Sequence, residues 1–139
     1  MTLVIFACVH NAGRSQMAAA FFNAAADPSA ARAQSAGTQP ADRVNPVVVE
    51  AMREVDIDVS RERPRLLTIE LTRGADWLIT MGCGDDCPVV AGVKREDWPL
   101  DDPADQPLGR VRDIRDAVRA KVDAFIAREG YACRYNPRS

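Results

Sequence analysis

The sequence is short of several features, and each shortage excludes a class of protein. One histidine among 139 residues excludes a metal site built from several imidazoles. Eighteen Lys and Arg face 20 Asp and Glu, so no basic excess favours nucleic acid. No apolar run approaches the ~20 residues of a membrane-spanning helix, and no basic segment precedes the opening apolar run. We therefore expect a cytoplasmic protein that binds neither membrane nor nucleic acid.

The remaining composition is that of an ordinary globular protein, with 47% hydrophobic and 27% charged residues. The length favours one domain over 1–139, with a loosely held tail at 130–139. Four cysteines stand at positions 8, 83, 87 and 133. Because no export signal is apparent, we expect reduced thiols, and any disulfide to be catalytic or regulatory.

Hydrophobic patterns predict strands that alternate with helices. Strands are expected at Thr2–Cys8, Ala33–Thr38, Trp77–Met81 and Arg95–Leu100. Helices are expected at Gln16–Ala26, from Pro46 to about Val55, from Thr68 to Arg73, and at Arg110–Arg128. The charged face of the last helix is interpreted as solvated. This alternation predicts an α/β fold, a three-layer sandwich with a parallel sheet covered by helices on both sides.

The chemistry is concentrated in the segment from Cys8 to Ser15, where the first strand ends and a helix begins. A helix N-terminus presents free N–H groups and stabilises both an oxyanion and a thiolate. The residues between, Val9, His10, Asn11, Ala12 and Gly13, are expected to curl their N–H groups round an anion. Arg14 can grip a tetrahedral oxyanion with two hydrogen bonds, and Ser15 can donate to the Cys8 thiolate.

Three blocks of the sequence resemble a known family in the same order. CVHNAGRSQMAAAFF from Cys8, MGCGDDCP at 81–88 and EDWPLDDPADQP at 96–107 resemble arsenate reductases built on the low-molecular-weight protein tyrosine phosphatase fold. The resemblance extends from Thr2 to about Ala127. It implies a four-stranded parallel sheet and the reduction of arsenate to arsenite by a Cys8 thiolate, with arsenate held by the loop and Arg14.

The resemblance also implies an acid, Asp102, immediately before Pro103. Displacing an oxide from a tetrahedral centre needs a proton for the departing oxygen, which a carboxylic acid supplies. The neighbouring Asp101 is the rival for this role. The position after the proline is Ala104, where the tyrosine phosphatases commonly carry an aromatic residue, and this weakens an aryl-phosphate interpretation.

A second redox centre is expected at Cys83 and Cys87. Reduction of As(V) takes two electrons from thiols, and the resemblance implies that Cys83, or an outside thiol, attacks Cys8 and releases arsenite. Cys87 would then attack Cys83, and thioredoxin, or mycothiol with a mycoredoxin-type protein, would reduce the resulting disulfide. No bound cofactor and no metal are expected, because a C-x3-C spacing suits zinc poorly. Cys133 matches no motif and is interpreted as a bystander.

Two alternatives share the same loop. A low-molecular-weight protein tyrosine phosphatase would hydrolyse phosphate esters through a phosphocysteine. A phosphocysteine carrier would use Cys8 and Arg14 without needing Asp102. Neither alternative requires Cys83 and Cys87.

Overall fold

The computed structural model describes residues 1–82 and 87–133. In these ranges strands and helices alternate along the chain. The strands are β1 Thr2–Cys8, β2 Ala31–Gly37, β3 Trp77–Thr80 and β4 Lys94–Asp97. The helices are α1 Arg14–Ala25, α2 Pro46–Arg53, α3 Ile69–Arg73 and α4 Leu108–Glu129. The described strands form one parallel sheet in the order β2-β1-β3-β4, which confirms the predicted α/β architecture.

The central strand β1 has apolar residues on both faces, and its alternation divides the core in two. Val4 and Phe6 point into the larger cluster, against α1, α2 and α4. Ile5 and Ala7 point the other way, into a smaller cluster on the side of α3. Because successive side chains of a strand face opposite sides, one seven-residue apolar run supports both helical layers.

The helix ends follow their capping residues. The Asn45 side chain accepts a hydrogen bond from the Val47 amide at 2.9 Å, and Pro46 takes the first helical position of α2. Thr68 caps α3 in the same way through Leu71, at 3.0 Å. Gly130 ends α4 with a φ of 76°, a left-handed conformation that glycine adopts without steric cost. None of the described helices combines the length and the apolarity needed to cross a membrane.

Several expectations need correction. α1 begins at Arg14, two residues before the predicted start, β2 covers Ala31–Gly37, and β4 ends at Asp97. The face of α4 expected to be solvated includes Arg115, which is buried. Its guanidinium donates to the Ala51 carbonyl at 2.9 Å, so it packs α4 against α2.

The start of the tail is also better held than expected. Tyr131 packs its ring against Phe22 and Phe125, and its hydroxyl accepts a hydrogen bond from the Trp77 indole at 3.1 Å. Ala132 forms a bridge with Ala26. The expected looseness is therefore wrong for these two residues, because an aromatic side chain anchors the chain just after α4. The tail beyond Cys133 lies outside the described residues.

Candidate active site

The loop between β1 and α1 leaves the sheet at its carboxyl edge, between β2 and β3. Cys8 is the last residue of β1 and Arg14 is the first residue of α1. In parallel sheets, ligands bind in the crevice outside such strand ends. The predicted site loop therefore joins the middle of the sheet to the N-terminus of the helix above it.

The carbonyl groups of this loop accept hydrogen bonds from the chain that follows β2. The acceptor and donor pairs are Cys8 with Thr38 (3.2 Å), Val9 with Gln39 (2.8 Å), His10 with Ala41 (2.9 Å) and Ala12 with Asn45 (2.9 Å). A trans peptide points its C=O and the next N–H in opposite directions, and the described chain has no cis peptide. Anchoring the carbonyls on one side therefore turns the amides that follow toward the other side. This is the backbone arrangement of an anion nest.

The sulfur of Cys8 is the end of a chain of buried polar groups. Cys8 is 2% exposed, and its Sγ lies 2.8 Å from the hydroxyl oxygen of Ser15. The Asn11 Nδ2 donates to that same oxygen at 2.7 Å. Asn11 Oδ1 accepts from Gln16 Nε2 at 3.2 Å and from the Arg65 main-chain amide at 3.0 Å. Two N–H donors on Oδ1 fix the orientation of the Asn11 amide.

Asn11 also fixes the path of the loop. Its φ of 50° lies in the left-handed region, where asparagine is among the few residues that occur regularly. Its main-chain carbonyl accepts a further hydrogen bond from Gln16 Nε2 at 3.0 Å. The loop bends at this residue, and the bend brings Ser15 and Cys8 together.

Arg14 faces the same site from the first turn of α1. It is 7% exposed, its Nη1 donates to the Leu100 carbonyl at 2.9 Å, and its Nη2 lies 3.6 Å from Asp102 Oδ2. Gly82, with a φ of 95°, lies against the guanidinium, because a Cβ built on it would come within 2.5 Å of Nη1. These contacts hold the planar group in one orientation.

A narrow cavity of about 40 Å³ lies between these groups. It is lined by Cys8, His10, Ala12, Gly13, Arg14, Asn45, Asp102, Pro103 and Ala104. A Cβ on Gly13 would meet the Pro103 ring at 2.5 Å, so only glycine allows the acidic loop to approach this closely. A cysteine sulfur, a guanidinium and a carboxyl group thus face one narrow space.

The structure distinguishes the two neighbouring aspartates. Asp102 lines the cavity, and its Oδ1 accepts from the Ala104 amide at 3.0 Å, which fixes its orientation. The Asp101 side chain is 72% exposed and pairs with Arg110 outside the cavity. Of the two, Asp102 is the one that lines the cavity beside Cys8.

The other predicted residues are distributed as follows. Val9 packs into the smaller core cluster, and the His10 ring Nδ1 lies 3.1 Å from the Gln39 carbonyl at the mouth of the cavity. Cys87 is buried in the smaller cluster and is disulfide-bonded. Cys83 lies outside the described residues. Cys133 is a free, exposed cysteine.

Cys87 is held at the main chain by Arg95, whose Nη1 donates to the carbonyls of Cys87 (3.2 Å) and Pro88 (2.9 Å). Within the described ranges, no three His, Cys, Asp or Glu side chains come close enough to hold a metal ion.

Sequence reasoning missed three residues that shape the site: Gln16, Gly82 and Pro103. Gln16 was counted only as a helical residue, although it is 3% exposed and polar. Gly82 and Pro103 carry turn signals, but the groups that they contact, Arg14 and Gly13, are distant in sequence. The only signal for Gln16 is its place two positions beyond the arginine of the loop, at the start of the predicted helix.

Comparison with known proteins gives concordant matches. The family model described as low molecular weight phosphotyrosine protein phosphatase matches residues 3–130. Arsenate reductase 2 of Staphylococcus haemolyticus is 33% identical over 129 residues, which cover 90% of this chain and 96% of that protein. A solved structure titled as an arsenate reductase in the oxidized state is 32% identical with a TM-score of 0.81, covering 92% of this chain and 98% of that one.

A longer protein is also similar. The thioredoxin-dependent arsenate reductase of Corynebacterium glutamicum is 34% identical with a TM-score of 0.78. The match covers 91% of this chain but 61% of that one, so the present chain spans less than two thirds of that protein.

Proposed function

Since the chain belongs to the low molecular weight phosphotyrosine protein phosphatase family, and its relatives above 30% identity include arsenate reductases, we propose that it reduces arsenate to arsenite. It uses a nucleophilic cysteine and a thiol–disulfide relay. It works in the cytoplasm, where thiols are kept reduced.

The first step is attack of the Cys8 sulfur on arsenic. Arsenate enters the cavity with its oxygens on the loop amides and the Arg14 guanidinium, and a bond forms between Sγ and As(V). An oxygen leaves as water, with Asp102 supplying a proton. The short contact between Ser15 and the sulfur and the position of Asp102 in the cavity wall support these roles.

The second step carries the electrons. A second thiolate, assigned to Cys83, attacks Cys8 Sγ, and an S–S bond forms as the S–As bond breaks. The electron pair of that bond goes to arsenic, so As(V) becomes As(III) and leaves as arsenite. Cys87 then attacks Cys83 and releases Cys8 as a thiolate, leaving a Cys83–Cys87 disulfide. The disulfide-bonded state of Cys87 and the free state of Cys8 are the arrangement expected after this step.

An external dithiol must then reduce the enzyme. Thioredoxin is the favoured reductant, because the similar Corynebacterium glutamicum protein is thioredoxin-dependent. Mycothiol with a mycoredoxin-type protein is the alternative, in which an outside thiol attacks Cys8 in place of Cys83.

One observation carries the assignment to a reductase. The same chain has an oxyanion loop around a free Cys8 and a second cysteine, Cys87, that is disulfide-bonded. Phosphate ester hydrolysis requires only the first of these. The cavity wall also carries Ala104, which offers no ring surface for an aryl group.

The test is arsenite release in a single turnover. Fully reduced enzyme is mixed with arsenate without added reductant, and the disulfides are then mapped. About one arsenite per chain, together with a Cys83–Cys87 bridge, is the expected result.

Arsenite release only after a small thiol is added would replace Cys83 with an outside thiol in the scheme. Release in neither condition, combined with rapid hydrolysis of an aryl phosphate, would overturn the proposal in favour of a phosphatase. The Cys83→Ala variant separates the routes, because undiminished turnover would remove Cys83 from the pathway.

A further inference from the structure

Gln16 lies behind the site loop and takes no part in lining the cavity of the anion. Its side chain is 3% exposed and donates both amide hydrogens to Asn11, one to the main-chain carbonyl and one to Oδ1. Asn11 itself is fully buried. A glutamine that uses both donors on one buried residue fixes that residue's orientation.

The direction of each hydrogen bond in this chain can be derived. Because Oδ1 of Asn11 accepts from Gln16 and from the Arg65 amide, its Nδ2 must be the group that faces Ser15. Nδ2 has no acceptor capacity, so it donates to the Ser15 oxygen. In the thiolate form Cys8 is the acceptor that the Ser15 hydroxyl proton faces, at 2.8 Å.

We propose that Gln16 is a positioning residue that favours the thiolate form of Cys8 through Asn11 and Ser15. Every member of the series donates toward the sulfur, and a thiolate is stabilised by donated hydrogen bonds whereas a thiol is not. The inference rests on the proposed function only in that Cys8 is the nucleophile. It assigns to Gln16 no contact with substrate.

The surroundings of Gln16 explain why its loss would affect orientation more than folding. It lines a cavity of about 290 Å³ on the far side of the loop, between α1, β2 and residues 57–65. In a Gln16→Met variant of similar volume, water in this cavity can solvate the freed Asn11 acceptors. Water does not fix the side-chain amide of Asn11 as Gln16 does, so the orientation in which Nδ2 donates to Ser15 becomes one of several.

The test is the pH dependence of Cys8 alkylation. The rate of reaction with iodoacetamide is followed by mass spectrometry on the Cys8 peptide, in the native protein and in Gln16→Met. We expect the pH midpoint to rise by at least about half a unit, which is roughly a threefold loss of thiolate at a pH well below both midpoints. Turnover should fall by a similar factor at a pH well below both midpoints and recover as the pH rises above the new midpoint.

Asn23 provides the matched control. It is an amide on the same helix that likewise makes two hydrogen bonds to one residue, here the main chain of Ala33, at 3.0 and 2.8 Å. Asn23→Leu removes both contacts without touching the series that leads to Cys8. Its alkylation midpoint should equal that of the native protein, and a shift as large as that of Gln16→Met would overturn the proposal.

A folded Gln16→Met protein with an unchanged midpoint would also overturn it. If that variant does not fold, NMR of the native protein decides. The side-chain amide signals of Asn11 and Gln16 should titrate with the Cys8 midpoint and stay constant in Cys8→Ser, and signals that ignore the titration refute the inference. A shifted midpoint in a protein that reduces no arsenate would support the inference while refuting the proposed function.

Discussion

Main-chain amides from residues 38–45 hold the carbonyls of the loop around Cys8, whereas the guanidinium of Arg95 holds the carbonyls of Cys87 and Pro88. Both cysteines are buried, at 2% and 3% exposure, so burial does not distinguish them. The difference lies in what fixes the backbone. Backbone-to-backbone contacts are independent of side-chain identity, but a contact through one arginine can be removed by one substitution.

The two arrangements suit the two chemical tasks proposed for them. An oxyanion site must be organised before the anion arrives, because its stabilisation comes from donors that need no reorientation. A cysteine that exchanges disulfide partners must instead be presented to more than one sulfur. The predictions below separate the two regions, from the largest expected effect to the smallest.

Replacing the Cys8 sulfur should have the largest effect on turnover. Cys8→Ser should lower arsenate turnover by at least ~10³-fold, because a hydroxyl is a far weaker nucleophile at neutral pH and supplies no electrons to arsenic. Cys133→Ser is the control, since Cys133 is exposed and free, and its turnover should be unchanged. Steady-state arsenite production measures both, and native-like turnover by Cys8→Ser would remove Cys8 from the chemistry.

The neighbouring aspartates provide the next test. Asp102→Asn should reduce the rate of arsenite formation by about 10²-fold, because the amide cannot supply the proton to the departing oxygen. Asp101→Asn removes only an exposed ion pair with Arg110 and should change the rate less than about twofold. Single-turnover rates at saturating arsenate compare the two. Equal losses in both variants would contradict the assignment of Asp102.

Gly82 tests how tightly Arg14 is held. Gly82→Ala introduces a Cβ against Nη1 and an unfavourable positive φ, so we expect KM for arsenate to rise about tenfold through displacement of the guanidinium. Gly92→Ala is the matched control, because Gly92 also has a positive φ, 85°, and a Cβ there meets nothing within 4 Å. Binding of phosphate as a competitive ligand should follow the same order. Unchanged KM in Gly82→Ala would show that Arg14 tolerates the displacement.

Arg95 tests the second region alone. Arg95→Met should slow steady-state turnover about threefold. The Cys87 and Pro88 carbonyls each lose a charge-assisted hydrogen bond, which contributes about 1.5 kcal/mol or less. The pH profile of Cys8 alkylation should remain native, because the hydrogen bonds described for Arg95 go to the carbonyls of Cys87 and Pro88. The contrast between the two measurements is the readout, and a changed alkylation profile would mean that the two regions are coupled.

The smallest expected effect is on the stability of the folded protein at acid pH, through a carboxylate at the C-terminal end of α2. The Arg112 guanidinium, by a hydrogen bond, and then Arg115 lower the pKa of Glu54 from its ordinary 4.5 to about 2. The folded protein therefore gains stability from this carboxylate above its unfolded pKa, and loses that gain as the pH falls from 4.5 toward about 2. Urea unfolding across that range should show a shallower decline for Glu54→Gln. Parallel curves would exclude a contribution from Glu54.

Much of the fold could be predicted because its determinants are local. The apolar run Thr2–Cys8 defines β1 at both ends, and the pairs Asn45–Pro46 and Thr68–Leu71 start α2 and α3 where capping chemistry indicates. Arg115 was misplaced because its burial depends on Ala51 and Glu54, which reach it from another helix. A charge pattern along one helix carries no information on such partners.

The candidate site also contains residues that local sequence predicts and residues that only the structure shows. The loop residues and Arg14 could be predicted as a candidate site because a strand, a loop and a helix meet there in sequence, and the structure brings them to one cavity. The choice between Asp101 and Asp102 required the structure, since only the fold shows which carboxylate lines the cavity. The contact of Gly82 with Arg14 joins positions that are far apart in the chain, so composition and spacing give no hint of it.

The anchoring of the loop carbonyls by main-chain amides of residues 38–45 has a consequence for engineering. Because main-chain amides anchor the loop carbonyls, we expect exchange of the mouth residues Ala12 and Ala104 to leave that anchoring in place. Substitutions at these two positions should therefore alter access to the cavity while the path of the loop around the sulfur is retained.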